Sequence, residues 1–284
     1  MKKIAIFGDI HGNLEALQSI LADIKSKDFD EIIFLGDAIS IGPQPKECLE
    51  LLKNNNIRFL LGNHELYYLY GIEIDDAIKF ESEKAHYAWV KSLLDESDRE
   101  YLKKCDLYYT KEEFLGEKIL FAHFLIEDEK ALYPFEDVNL KNNVDAWLKN
   151  NKKYRTIFIG HEHEALSEDD VEGVNDDFEE TTGVCSNIWI VGSSGCTKDN
   201  MTSYTSLELG DTMSITRIYL PYDRDTFLKT LNSIEYPNKE IISRFAFGIT
   251  KNNYQIIKQK ISKNNNLKFL LYHDHWQFDL NFSS

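Results

Sequence analysis

Ile4-Ala5-Ile6-Phe7-Gly8-Asp9-Ile10-His11-Gly12-Asn13 opens the chain with a change of period. The run Ile4 to Phe7 is apolar and stops at Gly8. Leu14, Leu17, Ile20, Leu21 and Ile24 then recur at helical spacing, which predicts strand, loop, helix, with Asp9 and His11 on the loop. The unit repeats: Glu31 to Leu35 reads as a strand, Gly36-Asp37 as its loop, and Cys48, Leu49, Leu51 and Leu52 as the apolar positions of a helix that begins after Pro45. Ile57 to Leu61 reads as a third strand, ending in Gly62-Asn63. Successive strands thus deliver acidic or amide side chains from their C-terminal ends, the edge where open α/β sheets place their sites.

Further on, Asp75 to Leu94 reads as an amphipathic helix containing His86, which has no ligand-type neighbour in sequence and is read as structural or solvent-exposed. Ile119 to Ala122 is a strand ending on His123, and Thr156 to Ile159 another ending on Gly160-His161. Strands near Asn187 to Val191, Ser203 to Leu209 and Ser214 to Tyr219 follow, and beyond Pro221 a helix carries Phe227, Leu228 and Leu231 on one face. The order is βαβαβ, then helices, then strands, which predicts an α/β fold of two packed sheets flanked by helices. One domain over residues 1–248 is expected, with an acidic insertion at 164–187 and a C-terminal extension at 249–284. His273-Asp274-His275 in that extension lacks further ligands at workable spacing and is not read as a metal site.

With 284 residues, 43% hydrophobic and 28% charged, the composition is that of a soluble globular protein. Its 48 acidic against 32 basic residues give a formal charge of −16, a field that repels polyanions and argues against strong nucleic-acid binding. Cys48, Cys105, Cys185 and Cys196 show no C-x-x-C spacing and are too sparse for a disulfide framework, so they read as small buried hydrophobes in a reduced compartment. The apolar run after Lys2-Lys3 is too short for a signal-peptide core, and no stretch approaches a membrane span. A cytoplasmic protein without membrane association is expected.

Chemistry concentrates in five islands: Gly8-Asp9-Ile10-His11, Gly36-Asp37, Gly62-Asn63-His64-Glu65, His123 and Gly160-His161-Glu162-His163. Together they offer seven oxygen or nitrogen ligands and a spare histidine, the equipment of two-metal hydrolysis of a phosphate ester. The donor set lacks a thiolate and suits manganese, iron, zinc or magnesium; hard carboxylates beside imidazoles favour manganese.

In order and glycine punctuation the islands resemble the calcineurin-like metallophosphoesterase superfamily. That resemblance implies an α/β/β/α four-layer sandwich of two mixed sheets flanked by helices, and two divalent metal ions. It further implies that Asp9, His11 and His163 hold one ion, that Asn63, His123 and His161 hold the other, and that Asp37 bridges them. His64 is left off the metals, beside the phosphate, where it stabilises transferred charge or protonates the leaving oxygen, with Glu65 orienting it. The reaction implied is in-line attack of a metal-bridging hydroxide on a phosphomonoester or phosphodiester. A slow or inactive binding protein on the same scaffold is the second reading, and the presence of His64 beside a full ligand set speaks against it.

Within the superfamily, Ser40-Ile41-Gly42 stands where some branches carry Asp-Arg-Gly, so a phosphate-holding arginine is missing. Gly36-Asp37 followed by Gly42-Pro43, and the closing Pro221-Tyr222-Asp223, look like the prokaryotic phosphodiesterase-like branch. Ile190-Val191-Gly192-Ser193 departs from that branch's Asn-Pro-Gly-Ser. The insertion between His163 and the strand near Ile188 holds Glu168, Asp169, Asp170, Glu172, Asp176, Asp177, Glu179 and Glu180 without a basic residue; it reads as a solvated or mobile hairpin or, because it begins one residue after His163, as a rim of the site that screens out polyanions. The partner expected is a small phosphate-ester substrate.

Overall fold

The computed structural model describes residues 1–71, 81–114, 117–124, 126–127, 131–132, 154–161, 163 and 187–248. At its centre β1 (Lys2–Phe7) runs parallel to β2 (Glu31–Phe34), and β2 runs parallel to the short β3 (Arg58–Phe59). Helix α1 (Leu14–Lys25) follows β1 and α2 (Pro45–Lys53) follows β2, as the change of period predicts. Asn13 holds the start of α1 with both ends of its amide: Oδ1 accepts the Ala16 N–H at 3.1 Å, and Nδ2 donates to the Gly195 carbonyl at 2.8 Å.

Three helices separate this unit from the second sheet: α3 (Asn63–Tyr70), α4 (Glu81–Leu93) and α5 (Glu96–Leu102). The expected helix from Asp75 is seen from Glu81, because residues 72–80 lie outside the described residues. Next come β4 (Tyr108–Phe114) and β5 (Glu117–Ala122), an antiparallel pair, then the short β6 (Ile126–Glu127) and β7 (Ala131–Leu132). The second sheet is completed by β8 (Tyr154–Ile159) parallel to β5 and by β9 (Asn187–Ile190) parallel to β8. The chain then returns to the first sheet as the hairpin β10 (Met201–Leu209) and β11 (Met213–Pro221), with β10 antiparallel to β1. Among the described residues the sheet orders are β11-β10-β1-β2-β3 and β4-β5-β8-β9, two mixed sheets flanked by helices in an α/β fold.

The strand period decides what β1 buries. Ala5 and Phe7 face α1 and α2 with Leu17, Ile20, Phe34, Leu49 and Leu52, whereas Ile4 and Ile6 face the second sheet with Ile33, Leu35, Phe121 and Phe158. Each such large side chain contributes roughly 1.5–3 kcal/mol by leaving water, which fixes β1 between two cores and its C-terminal loop with it. Behind that loop, α6 (Arg224–Ser233) and α7 (Lys239–Phe245) place Phe227, Leu231 and Ile242 against Ala16 and Ile41. β3 is shorter than Ile57 to Leu61: Leu60 forms an isolated bridge to Asp106 instead.

Among the described residues no helix is long and apolar enough to cross a membrane. Of the acidic insertion only Asn187 is described, opening β9; residues 164–186 and 249–284, with Cys185 and His273-Asp274-His275, lie outside the described residues.

Candidate metal centre

Three loops of the first sheet and two of the second meet at one point. Asp9 and His11 follow β1, Asp37 follows β2, and Asn63 and His64 open α3 after β3. His123 follows β5, and His161 and His163 follow β8. Asp9, His11, Asp37 and His161 all have left-handed backbones, with φ of 53°, 47°, 61° and 67°. Such conformations cost on the order of 1–3 kcal/mol each in non-glycine residues and persist only where the surroundings enforce them.

The enforcement is visible. Asp9 N–H donates to Gly36 O (2.8 Å), His11 N–H to Asp37 O (2.9 Å) and Gly12 N–H to Ala38 O (3.0 Å), which zips the first two loops together. Glu65 is the clasp: Oε2 accepts from the Asp37 and Gly62 N–H groups at 2.8 and 2.9 Å, and Oε1 from those of Ala38 and Ile39 at 2.9 and 3.3 Å. Its carboxylate is thus spent on backbone, so the expectation that it orients His64 is replaced by a role in fixing the loops. Burial and then the charge of Asp37 push its pKa up to about 7, against the pull of the Asp37 and Gly62 N–H donors. Gly36, at φ 106°, lies so close to Gly62 that a Cβ there would collide with the Gly62 amide nitrogen.

All of the expected site residues converge, and they form two groups that share Asp37. In one group His11 Nε2 faces His163 Nε2 at 3.0 Å, and lies 3.9 Å from Asp9 Oδ1 and 3.7 Å from Asp37 Oδ2; His163 Nε2 is 3.8 Å from Asp9 Oδ1. In the other, His123 Nε2 is 3.2 Å from Asp37 Oδ2 and 3.0 Å from Asn63 Oδ1, and His161 Nδ1 is 3.1 Å from the same Asn63 oxygen. The Leu35 carbonyl, 2.9 Å from His123 Nδ1, can only accept, so a neutral His123 carries its hydrogen on Nδ1 and turns the Nε2 lone pair towards two oxygens. Lone pairs brought together in a buried space repel one another, and a bound cation would relieve that repulsion. The donor set fits divalent metal ions on that ground. Asp37, His123 and His161 offer ligand atoms within 4.8 Å of one another, as do His11, Asp37 and His64, and His11, His163 and Cys196.

His11 and His64 are pushed well below the ordinary imidazole pKa, first by burial and then by neighbouring histidines, so both rings are neutral near pH 7. His64 N–H donates to Asp37 Oδ1 at 3.1 Å, its Nε2 is 3.8 Å from Asp37 Oδ2, and its Nδ1 is 3.0 Å from the Tyr87 hydroxyl. His86 is structural: Nε2 accepts the Ile41 N–H at 3.1 Å and lies 3.0 Å from Ser40 Oγ, and Nδ1 is 3.3 Å from Pro237 O. It supports the loop after Asp37, where Ser40 and Ile41 also have φ of 74° and 60°.

Sequence reasoning missed Tyr87 and Cys196. Cys48 is a fully buried hydrophobe, but Cys196 is partly exposed and its sulfur lies beside His11 and His163, where a thiolate would bias that position towards softer ions such as zinc. The stretch before it keeps its hold on the centre despite the missing Asn-Pro. Ser193 Oγ donates to Asp9 O at 2.7 Å, Ser194 N–H to Gly8 O at 3.1 Å and Gly195 N–H to Asp9 O at 3.0 Å.

The model of the calcineurin-like phosphoesterase family matches residues 2–184, and the chain belongs to that family. Protein MJ0912 of Methanocaldococcus jannaschii is 33% identical over 165 residues, covering 56% of this chain and 62% of that one. The symmetrical bis(5'-nucleosyl)-tetraphosphatase of Haemophilus ducreyi is 37% identical over 67 residues, 22% of this chain and 25% of the relative. The aligned stretches thus span less than two thirds of either relative. A metallophosphoesterase from Sphaerobacter thermophilus shares the fold, with a TM-score of 0.61 at 21% identity over 87% of this chain and 100% of that one.

Proposed function

We propose that the protein hydrolyses a small phosphate ester with the help of two divalent cations. Asp9, His11 and His163 would hold one cation, Asn63, His123 and His161 the other, and Asp37 would serve both. The observation that carries this reading is the shared carboxylate: Asp37 Oδ2 lies 3.7 Å from His11 Nε2 in one group and 3.2 Å from His123 Nε2 in the other. Bound there, a cation pair polarises a phosphoryl oxygen and lowers the pKa of water, which is the chemistry an in-line displacement requires. The chain's own contribution is to hold carboxylates and imidazoles in place before substrate arrives, and to present His64 Nε2 to the same space. Asn63 contributes a neutral oxygen, which keeps the negative charge of the ligand set low and the cations electrophilic.

Manganese is the ion favoured by the mixture of carboxylate and imidazole, with iron, zinc and magnesium as the alternatives, and Cys196 strengthens the case for zinc. The test is a metal-resolved assay of the full chain on para-nitrophenyl phosphate, bis-para-nitrophenyl phosphate and a dinucleoside tetraphosphate, the last prompted by the activity named for the Haemophilus relative. Turnover that depends on added metal and is abolished by chelation is the expected result. A protein that binds the metals and turns over none of these esters with any of the four ions contradicts it.

A further inference from the structure

The His64 ring is held from both ends. Its Nε2 looks towards Asp37 Oδ2 at 3.8 Å, and its Nδ1 meets the Tyr87 hydroxyl at 3.0 Å. The Tyr87 ring lies stacked beside that of His64, with centroids 5.7 Å apart and planes at 29°. Tyr67 stands edge-on to both, at 5.8 Å from His64 and 5.2 Å from Tyr87. Tyr67 comes from α3, the helix that His64 itself helps to open, while Tyr87 comes from α4, so the contact ties the site to a second helix.

We propose that Tyr87 is a positioning residue for His64, its hydroxyl donating to Nδ1 so that the ring carries its hydrogen on Nε2, aimed at the phosphate. This rests on the phosphoesterase reading above and specifies how His64 works within it. A neutral imidazole has one N–H. On the Nε2 side, beside the His11 ring, stand the Asp37 carboxylate and the space for the oxygens of an incoming phosphate, both of which accept. On the Nδ1 side stands a hydroxyl, which can donate. Hydrogen on Nδ1 would leave the Nε2 lone pair facing oxygen; hydrogen on Nε2 lets Nδ1 accept from Tyr87 and turns an N–H towards the space an incoming phosphate would fill, with Asp37 Oδ2 3.8 Å away. A carboxylate in the place of Tyr87 would instead hold the hydrogen on Nδ1 and favour the charged ring. His64 so held offers its Nε2–H to the leaving oxygen as negative charge develops there and keeps its hydrogen, and the departing oxygen takes its proton from solvent.

The test is Tyr87→Phe, which keeps the ring and its stacking and removes the hydroxyl. In the full chain labelled with 15N-histidine, with His64 assigned by comparison with His64→Gln, the wild type should show Nδ1 without hydrogen and Nε2 with it. Tyr87→Phe should show a mixture of tautomers. In turnover, Tyr87→Phe should lower kcat about 10-fold on an ester with a poor leaving group, the worth of one hydrogen bond, with less effect on para-nitrophenyl phosphate and none on KM or metal content. His64→Ala should cost more, roughly 10²–10⁴-fold. A wild-type His64 carrying hydrogen on Nδ1, or a tautomer unchanged in Tyr87→Phe, overturns the proposal. If the wild type turns over no ester, the phosphoesterase reading fails by itself and the 15N spectra still decide the role of Tyr87.

Discussion

The loops after β1, β2 and β3 and the loops after β5 and β8 reach the same small volume by different means. The first set brings the carboxylates of Asp9 and Asp37, both buried, on backbone held in left-handed conformations and clasped by Glu65. The second brings imidazoles, His123, His161 and His163, whose orientation is borrowed from the first: His123 Nδ1 lies against Leu35 O, and His161 N–H donates to Asp9 Oδ1 at 3.1 Å. The two carboxylates therefore lie in one half, beside His11, Asn63 and His64, and the other half brings imidazoles alone. The difference teaches that damage to the first half should spread to the whole centre, while damage to the second should stay local.

Asp37→Asn and His123→Ala should separate the two halves most widely. Asp37→Asn should lower the occupancy of both metals together and reduce kcat/KM by more than the roughly 10–100-fold typical of groups that only support a ligand. His123→Ala should lower the occupancy of one metal and leave the other. Elemental analysis of the purified variants reads this directly, and equal losses from the two substitutions would erase the asymmetry.

Glu65→Ala probes the clasp itself. It deprives the N–H groups of Asp37, Ala38, Ile39 and Gly62 of their acceptor, so a loss of about 4 kcal/mol is expected from chemical denaturation, together with weaker metal binding. Stability within about 0.5 kcal/mol of wild type would show that the loops hold their left-handed turns without it.

A smaller, pH-dependent effect is expected at His86, which supports the same half from behind. Burial lowers its pKa to about 4, while the unfolded chain titrates near 6.5. Above about pH 6.5 its contribution is whole. As the pH falls towards 4, the unfolded state takes up a proton that the folded state refuses, and about 1–3 kcal/mol is lost. Comparing wild type with His86→Gln isolates this residue from the other histidines: the stability difference should shrink from pH 6.5 to 4, and a flat difference would remove His86 from the account.

The first half was the more legible in sequence, because its βα alternation is carried by apolar residues at strand and helix spacing and its candidate ligands fall where each period breaks. The candidate histidines of the second half were legible for the same reason, each following a short apolar run. The contacts that give the ligands their geometry were not. Glu65 was expected to orient His64 and instead serves backbone N–H groups, whose directions depend on turn conformation rather than residue spacing. Tyr87 reaches His64 across a helix packing that sequence distance does not reveal, and Cys196 reaches His11 and His163 through a loop tied to Asp9 by Ser193. Strand β4 escaped notice because Lys111, Glu112 and Glu113 interrupt its apolar alternation, a composition suited to its place at the edge of the sheet.

One carboxylate, Asp37, is proposed to join two metal positions. Anomalous diffraction from crystals of the manganese-loaded protein tests it most directly. Two peaks flanking the Asp37 carboxylate, one beside His11 and His163 and the other beside His123 and His161, are the predicted result; a single peak at metal saturation would contradict it.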